Sequence, residues 1–150
     1  MRLDRAWIER SIPHDGRMCL LDEVIEWDAR HVRCRSGTHR WPDHPLRSRG
    51  RLGIACGIEY AAQAMAVHGA LAGGAMQARP ESGFLASLRG VRLHVLRLDD
   101  IESDLYCDAA LIAGDRSSAL YEFALSCDAK LLLRGRATVI FDAKKTVEHK

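Results

Sequence analysis

Residues 52–74 read LGIACGIEYAAQAMAVHGALAGG, and this stretch decides the fold. Between its glycines the only strongly polar side chains are Glu59, Gln63 and His68. Because a glutamate and a histidine in the middle make a membrane span costly, the stretch predicts a helix buried almost all round inside a domain. Glu59 and Gln63 lie four residues apart and therefore share one face. A carboxylate on a buried helix needs a partner, so Glu59 is the first candidate functional residue. His68 is predicted to be a core histidine bonded to backbone.

The composition indicates one ordinary domain. The chain has 150 residues, of which 47% are hydrophobic and 28% charged, and these values are typical of a globular protein with its own core. The net charge of +2 is too small to indicate a nucleic-acid partner. We therefore expect residues 1–150 to form a single domain.

The arginines are unevenly distributed. Seven of them fall between residues 30 and 51, where Asp43 is the only acid: Arg30, Arg33, Arg35, Arg40, Arg47, Arg49 and Arg51. Two interpretations stay open, a solvated loop and strand face or a docking surface for an acidic partner.

The five cysteines indicate a reduced protein. Their number is odd and no CxxC pair occurs, so the sequence predicts neither a zinc site nor a disulfide framework. The first ten residues carry charges throughout and lack the apolar segment of a secretory signal. Together these features predict a cytoplasmic location.

Alternating apolar and polar residues predict strands on both sides of the helix. In order, we expect a short helix at 6–10, strands at 18–27 and 31–40 with a turn near 28–30, a loop at 41–51, the long helix, a loop at 78–82, and strands at 83–98, 102–113, 118–127 and 131–141, with 143–150 frayed. Gly114-Asp115 and Asp128-Ala129-Lys130 are typical of hairpin turns. One apolar helix packed against one sheet gives an α+β domain.

Several of these stretches together are similar to a known family. Ile12-Pro13-His14, followed by an apolar run that ends at Asp22, resembles the family's opening, and Glu59-Tyr60-Ala61-Ala62-Gln63 resembles its helix motif. The family is the β-hydroxyacyl-(acyl carrier protein) dehydratases, and the PLR…GRL loop and the AVHGAL continuation are most similar to the divergent branch associated with aryl polyene gene clusters. The resemblance implies the hotdog fold, in which an antiparallel sheet wraps one long central helix.

The resemblance also implies a reaction, the loss of water from a 3-hydroxyacyl thioester to give the trans-2-enoyl thioester. In the family a histidine and an acid from opposite subunits of a dimer do the chemistry, and Glu59 matches the acid. Gly37-Thr38-His39 resembles the family's glycine-histidine pair, so His39 is the preferred base. His44 remains the alternative, because it precedes Glu59 by fifteen residues, close to the family's spacing of about fourteen, whereas His39 precedes it by twenty.

The remaining roles follow from this chemistry. Histidine is suited to remove the α-proton near neutrality, and an apolar setting favours a protonated Glu59 that delivers a proton to the departing hydroxyl. The proline-glycine pair that usually opens the helix is missing, so the N–H groups of Gly53 and Ile54 are expected to bind the thioester carbonyl. Gln63 is expected to orient the acid.

The implied partners are an acyl carrier protein, whose phosphopantetheine arm bears the acyl chain, and a second hotdog subunit in a homodimer or heterodimer. No other cofactor and no metal is expected. Two alternatives stay open: a hotdog thioesterase that uses Glu59 to activate water, and a non-catalytic acyl-binding module or partner of an active subunit.

Overall fold

The computed structural model describes residues 3–12, 16–74 and 83–141. Its regular elements are α1 (Arg5–Ser11), β1 (Glu23–Asp28), β2 (His31–Ser36), α2 (Gly57–Gly74), β3 (Gly83–Leu93), β4 (Leu105–Gly114), β5 (Ser118–Cys127) and β6 (Lys130–Phe141), with 3-10 turns at Gly16–Met18, Thr38–Arg40 and Ile54–Cys56. The predicted α+β class is confirmed. His14, the loop predicted at 78–82 and the tail at 143–150 lie outside the described residues.

The strands form one antiparallel sheet of six, in the order β1-β2-β4-β5-β6-β3. Both predicted hairpin turns are present. At the first, the Asp115 carboxylate accepts bonds from the N–H groups of Ser117 and Ser118. At the second, Asp128 and Ala129 have φ angles of 46° and 64°, the left-handed conformation of a two-residue turn whose twist matches that of the strands.

Helix α2 lies against one face of the sheet, and none of residues 57–73 is exposed. The prediction of a helix buried nearly all round is therefore confirmed. Its Tyr60, Ala64 and Val67 join the core with Leu125 and Leu133 of the sheet. Within the described residues, no helix is long and apolar enough to cross a membrane.

Three predicted strand boundaries are wrong by four or five residues. The strand predicted at 31–40 ends at Ser36, and Thr38–Arg40 form a 3-10 turn. The first strand begins at Glu23 rather than Met18, because side chains bind the backbone of the preceding coil, as described below. Strand β3 ends at Leu93 rather than Leu98. Beyond it the chain turns away to bridge the start of the helix, with the Leu98 N–H bonded to the Leu52 carbonyl at 2.7 Å.

Candidate active site

Gln63 and Glu59 meet as the sequence predicted. The Gln63 side chain is fully buried, and its Nε2 donates to Glu59 Oε2 at 3.3 Å. The same amide also accepts a bond from the Leu20 N–H at 2.8 Å and donates to the Met18 carbonyl at 2.7 Å. Gln63 thus ties the coil at 18–20 to α2 and holds the half-buried carboxylate of Glu59 in one orientation.

His39 sits in the 3-10 turn Thr38–Arg40 with its side chain fully buried. Its Nε2 lies 2.9 Å from the Ile101 carbonyl. Because a carbonyl only accepts, Nε2 carries the hydrogen and Nδ1 is the unprotonated nitrogen. Nδ1 is buried and has no hydrogen-bond partner among the residues that the structure describes. Burial lowers the pKa of His39 below its ordinary value, so the ring is a neutral base at neutral pH.

The coil before β1 also fixes the turn that carries His39. The Asp22 carboxylate accepts a bond from the Gly37 N–H at 2.7 Å. Ser36 Oγ and Thr38 Oγ1 both donate to the Leu20 carbonyl. These bonds occupy backbone groups that would otherwise pair in a strand. This explains why the strand predicted at 18–27 begins only at Glu23. The same short coil therefore positions both Gln63 and the His39 turn.

His44 differs from His39 because both of its ring nitrogens are bonded. Nδ1 accepts the Leu46 N–H at 3.0 Å, so Nε2 carries the hydrogen and donates to the Tyr60 hydroxyl at 3.1 Å. Tyr60 in turn lies 2.7 Å from Thr38 Oγ1 and donates to it, since Thr38 gives its own hydrogen to Leu20. Burial lowers the pKa of His44 to about 4. Both ring nitrogens of His44 are therefore used in bonds, and the bond to Tyr60 attaches its loop to α2.

The sequence did not predict this chain of hydroxyl bonds. The only signal of it in the sequence is the placement of two hydroxyl groups, Thr38 beside the candidate base and Tyr60 beside the candidate acid. Tyr60 is fully buried, and a buried phenol requires a partner. That requirement indicates a network but does not identify its other members.

His68 is a core histidine bonded to backbone, which confirms the prediction. Its Nε2 lies 3.1 Å from the Asp28 carbonyl and donates to it. Its Nδ1 accepts from the Tyr121 hydroxyl at 2.8 Å. The side chain thus links α2 to the end of β1 and to β5, with no nitrogen left for chemistry.

The backbone that precedes α2 differs from the predicted carbonyl-binding site. The Ile54 N–H donates to the Leu96 carbonyl at 3.0 Å, so it is already bonded, and the prediction for Ile54 as a carbonyl-binding group is corrected. Gly53 lies at the centre of the bridge to Arg97. Since successive N–H groups of an extended chain point in opposite directions, the N–H of exposed Gly53 faces away from that bridge.

The arginine-rich segment is partly neutralised inside the chain. Three of its seven guanidiniums form ion pairs with acids of neighbouring strands or loops: Arg33 with Asp108, Arg35 with Glu23 and Asp104, and Arg40 with Asp104. Arg30 and Arg47 donate to backbone carbonyls. Arg30, Arg49 and Arg51 are exposed and have no ion pair to any residue that the structure describes.

A long buried helix wrapped by an antiparallel sheet, with an oriented acid on the helix, is the architecture of a hotdog-fold protein. The chain belongs to the ApeP-like family, described as ApeP dehydratase, whose sequence profile matches residues 6–148. The expected hotdog fold and the resemblance to the aryl polyene branch are thereby confirmed.

Solved structures agree with this family. The dehydratase heterocomplex ApeI:P from Xenorhabdus doucetiae contains a chain that matches with a TM-score of 0.81 and 26% identity over 95% of both chains. A hypothetical thioesterase with coenzyme A from Streptococcus pneumoniae TIGR4 matches at 0.59 and 11% over 80% of this chain and 84% of that one. The PaaI protein of E. coli matches at 0.59 and 10% over 78% and 80%. The last two share the fold alone. No curated protein matches the sequence.

Proposed function

We propose that the chain is a 3-hydroxyacyl-(acyl carrier protein) dehydratase, with His39 as base and Glu59 as acid. The observation that carries the proposal is the Nδ1 atom of His39, an unprotonated nitrogen that is buried without a partner among the described residues. Leaving a buried acceptor unpaired costs about 1–3 kcal/mol, so such an atom calls for a functional explanation. Membership of a dehydratase family supplies the reaction class.

The proposed step transfers one proton from the substrate to His39 and one proton from Glu59 to the substrate. His39 Nδ1 removes a proton from C2 of the 3-hydroxyacyl thioester, and the Gly53 N–H binds the carbonyl oxygen on which negative charge develops. Glu59 donates its proton to the 3-hydroxyl, the C3–O bond breaks, and water leaves as the C2–C3 double bond forms. Gln63 holds the Glu59 carboxyl toward this position through its 3.3 Å bond.

The proposal includes two partners. A second hotdog chain supplies the opposing half of the site, so that His39 of one chain works with Glu59 of the other. Support comes from the similar chain of known structure, which belongs to a dehydratase heterocomplex. An acyl carrier protein delivers the substrate on its phosphopantetheine arm, and the step requires no further cofactor.

The test follows the acyl mass of a 3-hydroxyacyl-carrier protein for the loss of one water. We expect His39→Ala and Glu59→Gln to slow the loss by about a hundredfold or more, the usual contribution of a positioned acid or base. His44→Gln, which keeps a donor in the buried network, should retain turnover. Because the pKa of His39 is lowered, the acid limb of kcat/KM should lie below pH 6.5. Full activity in His39→Ala would refute the assignment of the base.

A second candidate is a non-catalytic partner of an active hotdog subunit. Two observations favour it: the heterocomplex to which the similar chain belongs, and the bonded Ile54 N–H, which leaves the carbonyl site with fewer donors. This candidate predicts no water loss by the chain alone and turnover only after a second hotdog protein is added, unaffected by His39→Ala. Release of free thiol instead of an enoyl product would identify a thioesterase.

A further inference from the structure

Four arginines meet on strands β3 and β6 in two directly opposed pairs. The register places Arg89 opposite Arg136 and Arg92 opposite Arg134, and all four residues are exposed. We call this group the arginine square. It lies on the face of the sheet away from α2, since the alternate β6 residues Gly135 and Ala137 are buried on the helix side.

A glycine bulge creates the square. Residues three apart on a regular strand point to opposite faces, so Arg89 and Arg92 would normally diverge. Gly90 has a φ of 59°, and the register shifts between Arg89 and Arg92 so that two residues of β3 oppose the single residue Gly135. A bulge of this kind redirects side chains, and here it brings both arginines to one face.

The arrangement opposes folding unless a counter-charge is present. Like charges directly opposite each other on a sheet are destabilising. Arg136 alone has an acid partner, with Glu122 at 3.2 Å, and the other three members have no ion pair to the described residues. The nearby Asp108 is held by Arg33 and His31, each at 3.0 Å.

The square borders a groove of about 620 Å³, lined by Arg89, Arg134 and Arg136 together with Gly90, Asp108 and Glu122. This volume is in the range of small-ligand sites, roughly 300–1,000 Å³. A guanidinium binds phosphate oxygens through two parallel N–H bonds. Opposed side chains on a sheet have Cβ atoms about 5 Å apart, so the two pairs offer neighbouring positions for two phosphates.

We propose that the arginine square binds a small molecule through a diphosphate group. The site stands on the sheet face opposite to the helix that carries Glu59, and it is independent of the proposed dehydration, since binding is measured without turnover. Inorganic pyrophosphate, ADP and coenzyme A carry the same diphosphate chemistry and distinguish a free diphosphate from a nucleotide source.

Isothermal titration of the full chain with these three compounds and with orthophosphate tests the proposal. We expect at least one diphosphate compound to bind ten times more tightly than orthophosphate, and the Arg92→Gln/Arg134→Gln variant to lose at least tenfold in that affinity. The control Arg49→Gln/Arg51→Gln removes the same charge from another exposed segment and should stay within twofold of the wild type.

Thermal unfolding without ligand separates binding from a structural role. Relief of the opposed charges should leave the Tm of Arg92→Gln/Arg134→Gln equal to or above that of the wild type. The proposal is overturned if no diphosphate compound binds, if both variants lose affinity equally, or if the square variant alone has a clearly lower Tm.

Discussion

At the scale of single residues, Gln63 connects the site to the fold. Replacing it with methionine keeps the volume but leaves the Leu20 N–H and the Met18 carbonyl without their partners. Each unsatisfied buried group costs about 1–3 kcal/mol, so we expect Gln63→Met to lower the free energy of unfolding by about 2–4 kcal/mol. Urea denaturation measures this loss.

The matched control for that experiment is Glu59→Gln, which removes the acid but preserves both backbone bonds of Gln63. We expect its free energy of unfolding to stay within about 1 kcal/mol of the wild type, the size of one net hydrogen bond. An equal loss in the two variants would mean that the pair acts through the carboxylate and not through the coil at 18–20.

The residue scale is also where the sequence left a choice between His39 and His44, and the structure shows how the bonding of the two rings differs. Spacing to Glu59 favoured His44 and the resemblance of residues 37–39 favoured His39. The sequence could not decide between them, because the groups that bond to each ring come from other segments. Ile101 binds the ring of His39, whereas Tyr60 and the backbone of Leu46 bind the ring of His44. Only the folded chain shows which ring retains an unpaired nitrogen.

At the scale of elements, the surroundings of two glycines in α2 lead us to expect different effects of substitution to alanine on the free energy of unfolding. A Cβ on Gly57 would lie 2.6 Å from Leu133 Cδ2 and 2.8 Å from Leu125 Cδ2, and both leucines are fully buried. Overpacking of this kind costs about 1–3 kcal/mol, more than the roughly 1 kcal/mol that alanine gains over glycine in a helix. Gly57→Ala should therefore be neutral to destabilising by about 2 kcal/mol.

Gly69→Ala is the control in the same helix, since its added Cβ would have no described atom within 4 Å beyond its chain neighbours and the nearby helix backbone. It should raise the free energy of unfolding by about 0.5–1 kcal/mol through helix propensity alone. Thermal or urea unfolding of the two variants compares them directly. A gain at Gly57 as large as that at Gly69 would contradict the close contact between the helix entrance and the sheet.

The sequence predicted helices and strands correctly where the hydrophobic pattern alone determined them. The apolar helix and strand β5 were correct because burial and alternation agree with the observed packing. The run at 18–22 was predicted as strand because apolar residues suit both a strand and a buried coil, and the distant partners Ser36 and Gln63 decide between them. The acids that pair with the arginine cluster, Glu23, Asp104 and Asp108, lie on other parts of the fold, so the sequence could not show which of its arginines are neutralised.

At the scale of the whole molecule, three buried histidines predict the dependence of stability on pH. Burial lowers the pKa values of His39, His44 and His68, that of His44 to about 4. Below about pH 6.5 the unfolded chain binds protons that the folded chain does not, so the free energy of unfolding should fall as the pH drops from 6.5 toward 4. The slope is up to about 1.4 kcal/mol per pH unit for each histidine.

Urea unfolding at pH 7, 6 and 5 measures that slope. Since His44→Gln removes one titrating ring, its slope between pH 6 and 5 should be smaller than that of the wild type by about one proton. Equal slopes in the two proteins would show that His44 is protonated in the folded state, against the bonding of both its nitrogens.

The two edges of the sheet differ in a way that predicts how chains associate. The N-terminal segment partly covers the edge at β1, where the Val24 N–H bonds to the Leu3 carbonyl at 2.8 Å. The other edge, β3, pairs with β6 alone among the described strands. Its Leu85, Leu88 and Leu93 are between 37% and 48% exposed. A long apolar edge strand is a surface that proteins cover or pair, so we expect a second chain to cover β3.

Light scattering during size-exclusion chromatography tests this expectation on the purified protein. The wild type should have twice the mass of one chain, and Leu85→Lys/Leu88→Lys should have the mass of one, without loss of the far-ultraviolet signal, because both leucines are already partly exposed. Ile112→Lys changes a residue on β4 that is equally exposed at 40%, and it should remain a dimer. Dissociation by Ile112→Lys, or a dimer that survives two lysines on β3, would place the interface elsewhere on the sheet.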